Sequence, residues 1–142
     1  MSGFLLDTNC ISELVRIKPD PRVFAWTQSA EEKLLHLSVL SLGEIRKGVT
    51  LLSVGPKRIE LERWLEIDLP AQFAERLLPI NAEIAELWGN LAAEVQLKGI
   101  AMPIVDGLIA ATAKHHELTI VTRNVKDFRM WGIPVMNPWT SP

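Results

Sequence analysis

Short apolar runs alternate along the chain with longer segments in which apolar residues recur every three or four positions. The runs predict five strands, at residues 3–6, 34–39, 77–80, 119–121 and 133–136. The longer segments predict helices, at residues 9–16, 20–30, 41–50, from 56 onwards, between 81 and 99, and at 104–116. Strands that alternate with helices in this way are typical of an α/β domain around a mostly parallel sheet.

Several residues indicate where these elements begin and end. Asp20 precedes Pro21, which places a capping acid before a proline at the first helical position. Asn81 and Gly99 bracket the clearest helix, which has one apolar and one polar side. Pro134 removes a backbone donor from the last strand, so we expect that strand at an edge of the sheet.

Composition limits the class of protein. Apolar residues make up 48% and charged residues 23% of the 142 residues, which suits one globular domain over residues 1–142. We expect no membrane span, since no apolar run reaches about 18 residues, and no signal peptide, since the first residues lack a basic region. The lone Cys10 excludes an internal disulfide, and we expect a reduced, cytoplasmic protein.

Polar side chains follow the predicted strands at the ends where parallel sheets bind ligands. Asp7 comes directly after the first strand, Glu44 lies a few residues past the second, and Asn124 and Asp127 follow the fourth. Asp106 lies in the first turn of the helix that leads into the fourth strand. These carboxylates would repel one another at one sheet edge unless a cation lay between them. Mg²⁺ takes oxygen ligands and can orient a water for in-line attack on phosphorus.

Each of these acids also has a purely structural interpretation. Asp7 could cap the helix that follows it, and Asp106 could complement a helix dipole. Ser41 and Glu44 have the spacing of a capping box. Asp127 could cap the short segment in which it lies. The functional interpretation therefore depends on all of them meeting at the same edge of the sheet.

Four motifs occur in order along the chain, and a short fifth one follows them. They are LLDTN at residues 5–9, SxxEIxKG at 41–48, DGLIAATA at 106–113, VTRNxxDF at 121–128 and NPW at 137–139. Together they resemble the PIN domain over residues 4–139, nearly the whole chain. The nearest subgroup is the VapC-type toxins of bacterial toxin–antitoxin pairs.

The resemblance implies a three-layer α/β/α sandwich with a mostly parallel sheet of about five strands, and a Mg²⁺- or Mn²⁺-dependent endoribonuclease. By position, Asp7, Glu44 and Asp106 match the three core acidic metal ligands of the family. The fourth acidic position falls at Asn124, where an amide removes one charge and puts a second ion in doubt. Asp127 could compensate, directly or through water.

Three further polar residues lie where they could hold metal ligands or waters in place, and these are Thr8, Asn9 and Thr122.

Binding of RNA requires a local basic surface, because the net charge is only −2. Residues 60–94 hold eight acids and two bases, and outside them, with the four site acids set aside, 13 bases oppose five acids. The expected phosphate contacts are Arg46, Lys47, Lys114, Arg123, Lys126 and Arg129. Such contacts would make binding strongly dependent on salt, although each could equally be a solvated surface charge.

The resemblance also implies partners. VapC-type toxins form homodimers, also within larger complexes, and are neutralised by a VapB-like antitoxin whose C-terminal segment wraps the toxin. The apolar faces of residues 9–16 and 20–30, with Leu14, Val15 and Trp26, are candidates either for that contact or for the core. For the tryptophans as a group, packing is favoured over stacking on bases.

Three other classes of protein compete with the toxin hypothesis. A catalytically weak or inactive PIN-like RNA-binding module is the main alternative, because of Asn124. A phosphatase with Asp-x-Asp after the first strand would need an acid at Asn9. A phosphoacceptor receiver domain would need an acid after the third strand, where this chain has Asn81. Metal-dependent cleavage of RNA separates the toxin from the inactive module.

Overall fold

Five short strands form one parallel sheet in the computed structural model, which describes residues 3–140. The strands are β1 (Phe4–Leu6), β2 (Leu35–Ser38), β3 (Leu77–Leu78), β4 (Thr119–Val121) and β5 (Val135–Met136). They run in the order β3-β2-β1-β4-β5, and every paired neighbour is parallel. The prediction of a mostly parallel five-stranded sheet is confirmed, and so is the edge position of the last strand.

Helices and short turns connect the strands. The helices are α1 (Thr8–Leu14), α2 (Pro21–Ser29), α3 (Val39–Thr50), α4 (Pro56–Arg63), α5 (Leu69–Phe73), α6 (Ala82–Leu97), α7 (Ile104–His115) and α8 (Val125–Arg129). A π-helical turn (Trp64–Asp68) joins α4 to α5. Within residues 3–140, no helix is both long and apolar enough to cross a membrane.

The core lies on both faces of the sheet, because successive strand residues point to opposite sides. Leu5 and Ile120 pack into a cluster with side chains of α6, α7 and α8. Leu6 and Val121 pack into a second cluster with side chains of α1, α2, α3 and α5. Each face is therefore covered by helices, and the predicted α/β/α sandwich is confirmed.

Most predicted caps are present. Asp20 accepts a hydrogen bond from the Arg22 N–H at the start of α2. Asn81 Oδ1 accepts one from the Ile84 N–H, 2.9 Å away, at the start of α6. Gly99, just past the end of that helix, has a φ of 73°, which an L side chain rarely adopts.

The capping-box interpretation of Ser41 and Glu44 is wrong. Helix α3 begins at Val39, and its N-cap is Ser38, whose Oγ accepts a hydrogen bond from the Leu40 N–H at 3.1 Å. Ser41 therefore lies within the first turn and is fully buried. Because the helix starts earlier than the pattern predicts, Glu44 lies in its second turn and cannot serve as the partner in a cap.

The cap proposed at Asp127 is also wrong. Helix α8 begins at Val125 with Asn124 in the N-cap position, which places Asp127 inside the first turn. Asp7, in contrast, does cap α1, since its Oδ1 accepts a hydrogen bond from the Thr8 N–H at 2.8 Å. A helix cap and a candidate metal ligand thus coincide in one carboxylate.

Candidate active site

The candidate site lies where β1 and β4 end side by side at the centre of the sheet. The order of strands reverses here, since the chain proceeds from β1 outward to β3 and then returns to β4. The N–H of Asp7 donates to the carbonyl of Val121, 2.9 Å away, which ties together the ends of the two strands. Open parallel sheets bind ligands at this kind of reversal, beyond the carboxyl ends of the strands.

Asp7 is the most enclosed acid of the site, with 6% of its surface exposed. Its Oδ1 accepts from the Thr8 N–H, and its Oδ2 accepts from the Thr122 hydroxyl at 2.7 Å. Burial raises the pKa of Asp7, although both hydrogen bonds favour the ionised form. The charges of Glu44 and Asp127 raise this pKa further.

The hydroxyl of Thr122 has its three hydrogen-bonding directions occupied. It lies 3.3 Å from Nδ2 of Asn9 and 3.0 Å from the backbone nitrogen of Asn124, and both of these groups can only donate. The single hydroxyl proton must therefore point to Asp7. The amide of Asn9 is oriented in turn by the Arg123 N–H, which donates to its Oδ1 at 3.4 Å. The network fixes the Asp7 carboxylate as an acceptor.

Thr8, the first residue of α1, links that helix to α3. Its hydroxyl donates to Oε1 of Glu44 at 2.5 Å and lies 3.0 Å from Oγ of Ser41. Because a hydroxyl carries one proton, Ser41 supplies the proton for the second bond. Sequence reasoning missed Ser41 as a supporting residue. The signal was present in Ser38, a better cap three residues earlier, which leaves the second serine free for another role.

Asp106 lies in the first turn of α7 and is half-buried. Burial is the largest of the effects that raise its pKa to about 6. The charges of Asp7, Asp127 and Glu44 raise it further, in that order. Four carboxylates from four separate elements therefore lie close enough to influence one another, as the sequence predicts.

The donor set suits a hard divalent cation. The carboxylates of the four acids, the Asn124 amide and the threonine hydroxyls offer oxygen, the ligand that Mg²⁺ and Mn²⁺ favour over nitrogen or sulfur. Within residues 3–140, no three His, Cys, Asp or Glu side chains are already gathered into a cluster that could hold an ion. Mutual repulsion keeps such carboxylates apart, and a cation that retains several waters does not require a closed cage.

Four of the predicted phosphate contacts are exposed near the acids. Lys47 lies one turn beyond Glu44 on α3, Arg123 follows β4, and Lys126 and Arg129 lie on α8. The Arg123 guanidinium lies over the ring of Trp139, 5.4 Å from its centroid. This contact holds a planar cation at the rim of the site.

The other two predicted phosphate contacts are placed differently. Arg46 pairs with Glu66 at 2.8 Å and with Glu62 at 3.7 Å. Its charge is therefore already balanced by two acids of the segment 60–94. Lys114 lies eight residues beyond Asp106 on α7, which is about 12 Å along the helix axis. It therefore belongs to the opposite edge of the sheet, where β4 begins.

An apolar cavity of about 640 Å³ adjoins the site between α1, α3 and α4. Its lining includes Val15, Ile45 and Trp64, and it also reaches Glu44. Val15 was expected on a docking face or in the core, and it lies half-buried at this opening. The basic residues around the cavity, which the sequence did not single out, are Arg16, Lys18 and Lys57.

Packing explains the tryptophans better than base stacking. Trp131 and Trp139 are buried. Trp26 is half-buried and meets Phe4 edge to face, with 5.2 Å between the ring centroids. The packing interpretation is therefore confirmed for the buried pair, and Trp26 also belongs to the packed surface of the second cluster.

Comparisons with known proteins agree with this geometry. Residues 4–130 match the PIN domain family. The chain is 39% identical to Toxin FitB of Neisseria gonorrhoeae over 95% of this chain and 97% of that protein. It is 33% identical to VapC ribonuclease Y4jK of Sinorhizobium fredii, over 95% and 96%. A solved structure of FitAB bound to IR36 DNA has a TM-score of 0.91 and 37% identity, covering 98% of this chain and 97% of that one. The chain therefore belongs to the PIN domain family, among the relatives of the VapC-type toxins.

Proposed function

We propose that this protein is a metal-dependent endoribonuclease that acts as the toxin of a toxin–antitoxin pair. The observation that carries the proposal is the mutual electrostatic influence of Asp7, Glu44, Asp106 and Asp127 at the carboxyl edge of the sheet. A PIN domain provides the setting in which such acids serve nucleic-acid hydrolysis. We take residues 1–142 as one such domain, acting on RNA in the cytoplasm.

Mg²⁺ or Mn²⁺ is the cofactor that we propose, held by Asp7, Glu44 and Asp106. When bound, such an ion supplies Lewis-acid activation of water and neutralises charge on the phosphodiester. Asp7 is suited to a ligand role because Thr122 and the Thr8 N–H orient both of its oxygens. Thr8 orients Glu44 in the same way. Preorientation by such partners is typical of metal ligands.

The fourth acidic position of the family is occupied by an amide, Asn124, in this chain. We propose that its amide oxygen, or the carboxylate of Asp127 in the next turn, completes the site on the side of α8. Asp127 is close enough to raise the pKa of both Asp7 and Asp106. Because Asn124 is uncharged, the site has less negative charge than one with an acid at this position, and this favours one strongly held ion over two.

We propose that the RNA backbone lies across the exposed cations beside the acids. Arg123 follows the end of β4, Lys47 lies one turn beyond Glu44 on α3, and Lys126 and Arg129 extend this surface along α8. Their charges are not balanced by ion pairs among those observed in residues 3–140, whereas that of Arg46 is. Cations of this kind bind phosphates without reading base sequence.

The apolar cavity between α1, α3 and α4 is the part of the surface that we assign to the antitoxin. Its position beside Glu44 would let a bound segment obstruct the site. The surrounding Arg16, Lys18 and Lys57 favour a segment that combines apolar side chains with acids. We further propose a homodimer of the toxin within the larger complex.

A catalytically inactive PIN module is the second candidate, and Asn124 is the observation that favours it. Loss of one acid from the set would weaken ion binding while leaving the basic surface intact. Such a protein would bind RNA without cutting it.

Cleavage of a mixed RNA pool tests the proposal. The purified protein, shown to be folded and free of antitoxin, is incubated with Mg²⁺, with Mn²⁺ or with EDTA. We expect discrete fragments with either ion, none with EDTA, and none from Asp7→Asn. Asp68→Asn, which alters an exposed acid on the π-helical turn, is the matched control and should cleave normally. Cleavage by Asp7→Asn would refute the site, and RNA binding without cleavage would support the inactive module.

A further inference from the structure

We propose that Trp88 and Trp131 are positioning residues that set where α7 and α8 present Asp106 and Asp127 to the metal. The inference rests on the proposed function, since it assigns those two acids to an ion. Among the hydrogen bonds observed within residues 3–140, neither tryptophan bonds to the carboxylate of Asp106 or Asp127. Both instead contact the backbone segments that carry those acids.

The first observation is the close approach of Trp88 to Gly107, the residue after Asp106. A Cβ added to Gly107 would lie 2.8 Å from Nε1 and 2.9 Å from Cδ1 of the Trp88 indole. Real Cβ atoms do not approach other atoms so closely. The glycine is buried in the first turns of α7, where glycine weakens a helix. Its presence is explained by the indole, which occupies the space of a side chain.

The second observation is that Trp131 bridges the two elements. Its Nε1–H donates to the backbone carbonyl of Asp127, 3.1 Å away. The far edge of the same indole, at Cη2, lies 3.7 Å from the position of a Cβ on Gly107. One rigid ring thus extends from the backbone of one acid to the residue adjoining the other.

Together the two contacts define the distance between α7 and α8 at the two acids. Trp131 is buried and its indole cannot flex, so it fixes the distance between α8 and the first turn of α7. Trp88, from α6, lies against the same Cβ position of Gly107 and prevents α7 from moving toward α6. Ligand geometry for Mg²⁺ is strict. A displacement of either helix would therefore reduce the affinity for the ion more than it reduces the stability of the fold.

The test measures Mn²⁺ binding by calorimetry on the full chain, together with kcat and KM for RNA cleavage. The variants are Gly107→Ala, Trp88→Leu and their combination. Gly89→Ala is the matched control, because it makes the same change in α6 at a position where a Cβ meets nothing within 4 Å. Circular dichroism and thermal denaturation in EDTA report on the fold of each protein.

We expect Gly107→Ala to bind Mn²⁺ about 10- to 100-fold more weakly, with kcat reduced and KM for RNA unchanged, while Gly89→Ala matches the wild type. Combining Gly107→Ala with Trp88→Leu should restore Mn²⁺ affinity to that of Trp88→Leu alone, because the shorter side chain leaves room for the added methyl group. A folded Gly107→Ala protein with wild-type affinity would overturn the inference. So would a double variant in which the two losses simply add.

Trp131→Phe provides an independent measurement if Gly107→Ala does not fold. It keeps an aromatic ring but removes the Nε1–H that holds the Asp127 carbonyl. We expect weaker Mn²⁺ binding and a lower kcat, and unchanged values would overturn the positioning role. If the wild type itself neither binds Mn²⁺ nor cleaves RNA, the proposed function fails, and the inference fails with it.

Discussion

Replacing Asp106 by Asn should stabilise the metal-free protein at neutral pH, although it should abolish cleavage. The side chain is half-buried near three other carboxylates, and its pKa is raised to about 6 from 3.8. The folded state therefore binds this proton more tightly than the unfolded chain does. Stability consequently falls as the pH rises through the interval between these two values, and the ionised form is fully penalised above about pH 7.

The magnitude follows from the size of the shift. About two pH units correspond to an upper bound of about 3 kcal/mol in the free energy of unfolding. Because the carboxylate retains contact with solvent, we expect about 1–2 kcal/mol for Asp106→Asn at pH 7.5. At pH 4 the difference should nearly vanish, since the acid of the wild type is then protonated in the folded state.

Urea denaturation in EDTA at pH 7.5 and pH 4 measures both values. With saturating Mn²⁺ at pH 7.5, the wild type should become more stable than Asp106→Asn, because the ion stabilises only a folded state that binds it. Glu117→Gln, which removes a charge from an exposed residue at the amino edge of the sheet, serves as the control for net charge. A destabilised Asp106→Asn protein in EDTA at pH 7.5, or an equal gain at both pH values, would refute the reasoning.

Three further predictions concern the surroundings of the acids. Thr122→Val should lower stability by about 2–3 kcal/mol in urea denaturation, because a buried carboxylate loses its hydroxyl partner; an unchanged midpoint would remove Thr122 from the network. Asn124→Asp should tighten Mn²⁺ binding in calorimetry, and an unchanged affinity would place residue 124 outside the reach of the ion. Lys126→Glu should weaken RNA binding and lower its salt slope by about one or more, whereas Lys114→Glu, at the far end of α7, should leave the slope unchanged. Equal effects of the two reversals would argue against an RNA surface along α8.

The strands and the placement of the candidate acids could be predicted because both depend on local signals. The apolar run at residues 3–6 ends at Asp7, and the position of that acid follows from a parallel sheet alone. Pro134 likewise places β5 at an edge through a missing donor. These inferences needed only the fold class and the direction of the strands.

The remaining features depend on residues far apart in the chain. Ser41 and Glu44 satisfy the spacing of a capping box, yet Ser38 caps the helix because the strand ends there. The charge of Arg46 is balanced by Glu66, twenty residues away, on an element whose packing the local pattern does not specify. The need for glycine at position 107, next to Asp106, becomes clear only from its contact with the Trp88 indole of another helix.

The reversal of strand order at β1 also has a consequence for synthesis. The residues that line the cavity beside Glu44 all lie between positions 12 and 64. Asp106, Thr122 and Asp127 belong to the final third of the chain, and so does β4, the second neighbour of β1 in the sheet. A ribosome therefore makes the surface assigned to the antitoxin before it makes two of the four candidate acids. Since a domain folds as a unit, a nascent chain that ends before Asp127 lacks the complete site, and nuclease activity is withheld until translation is nearly complete.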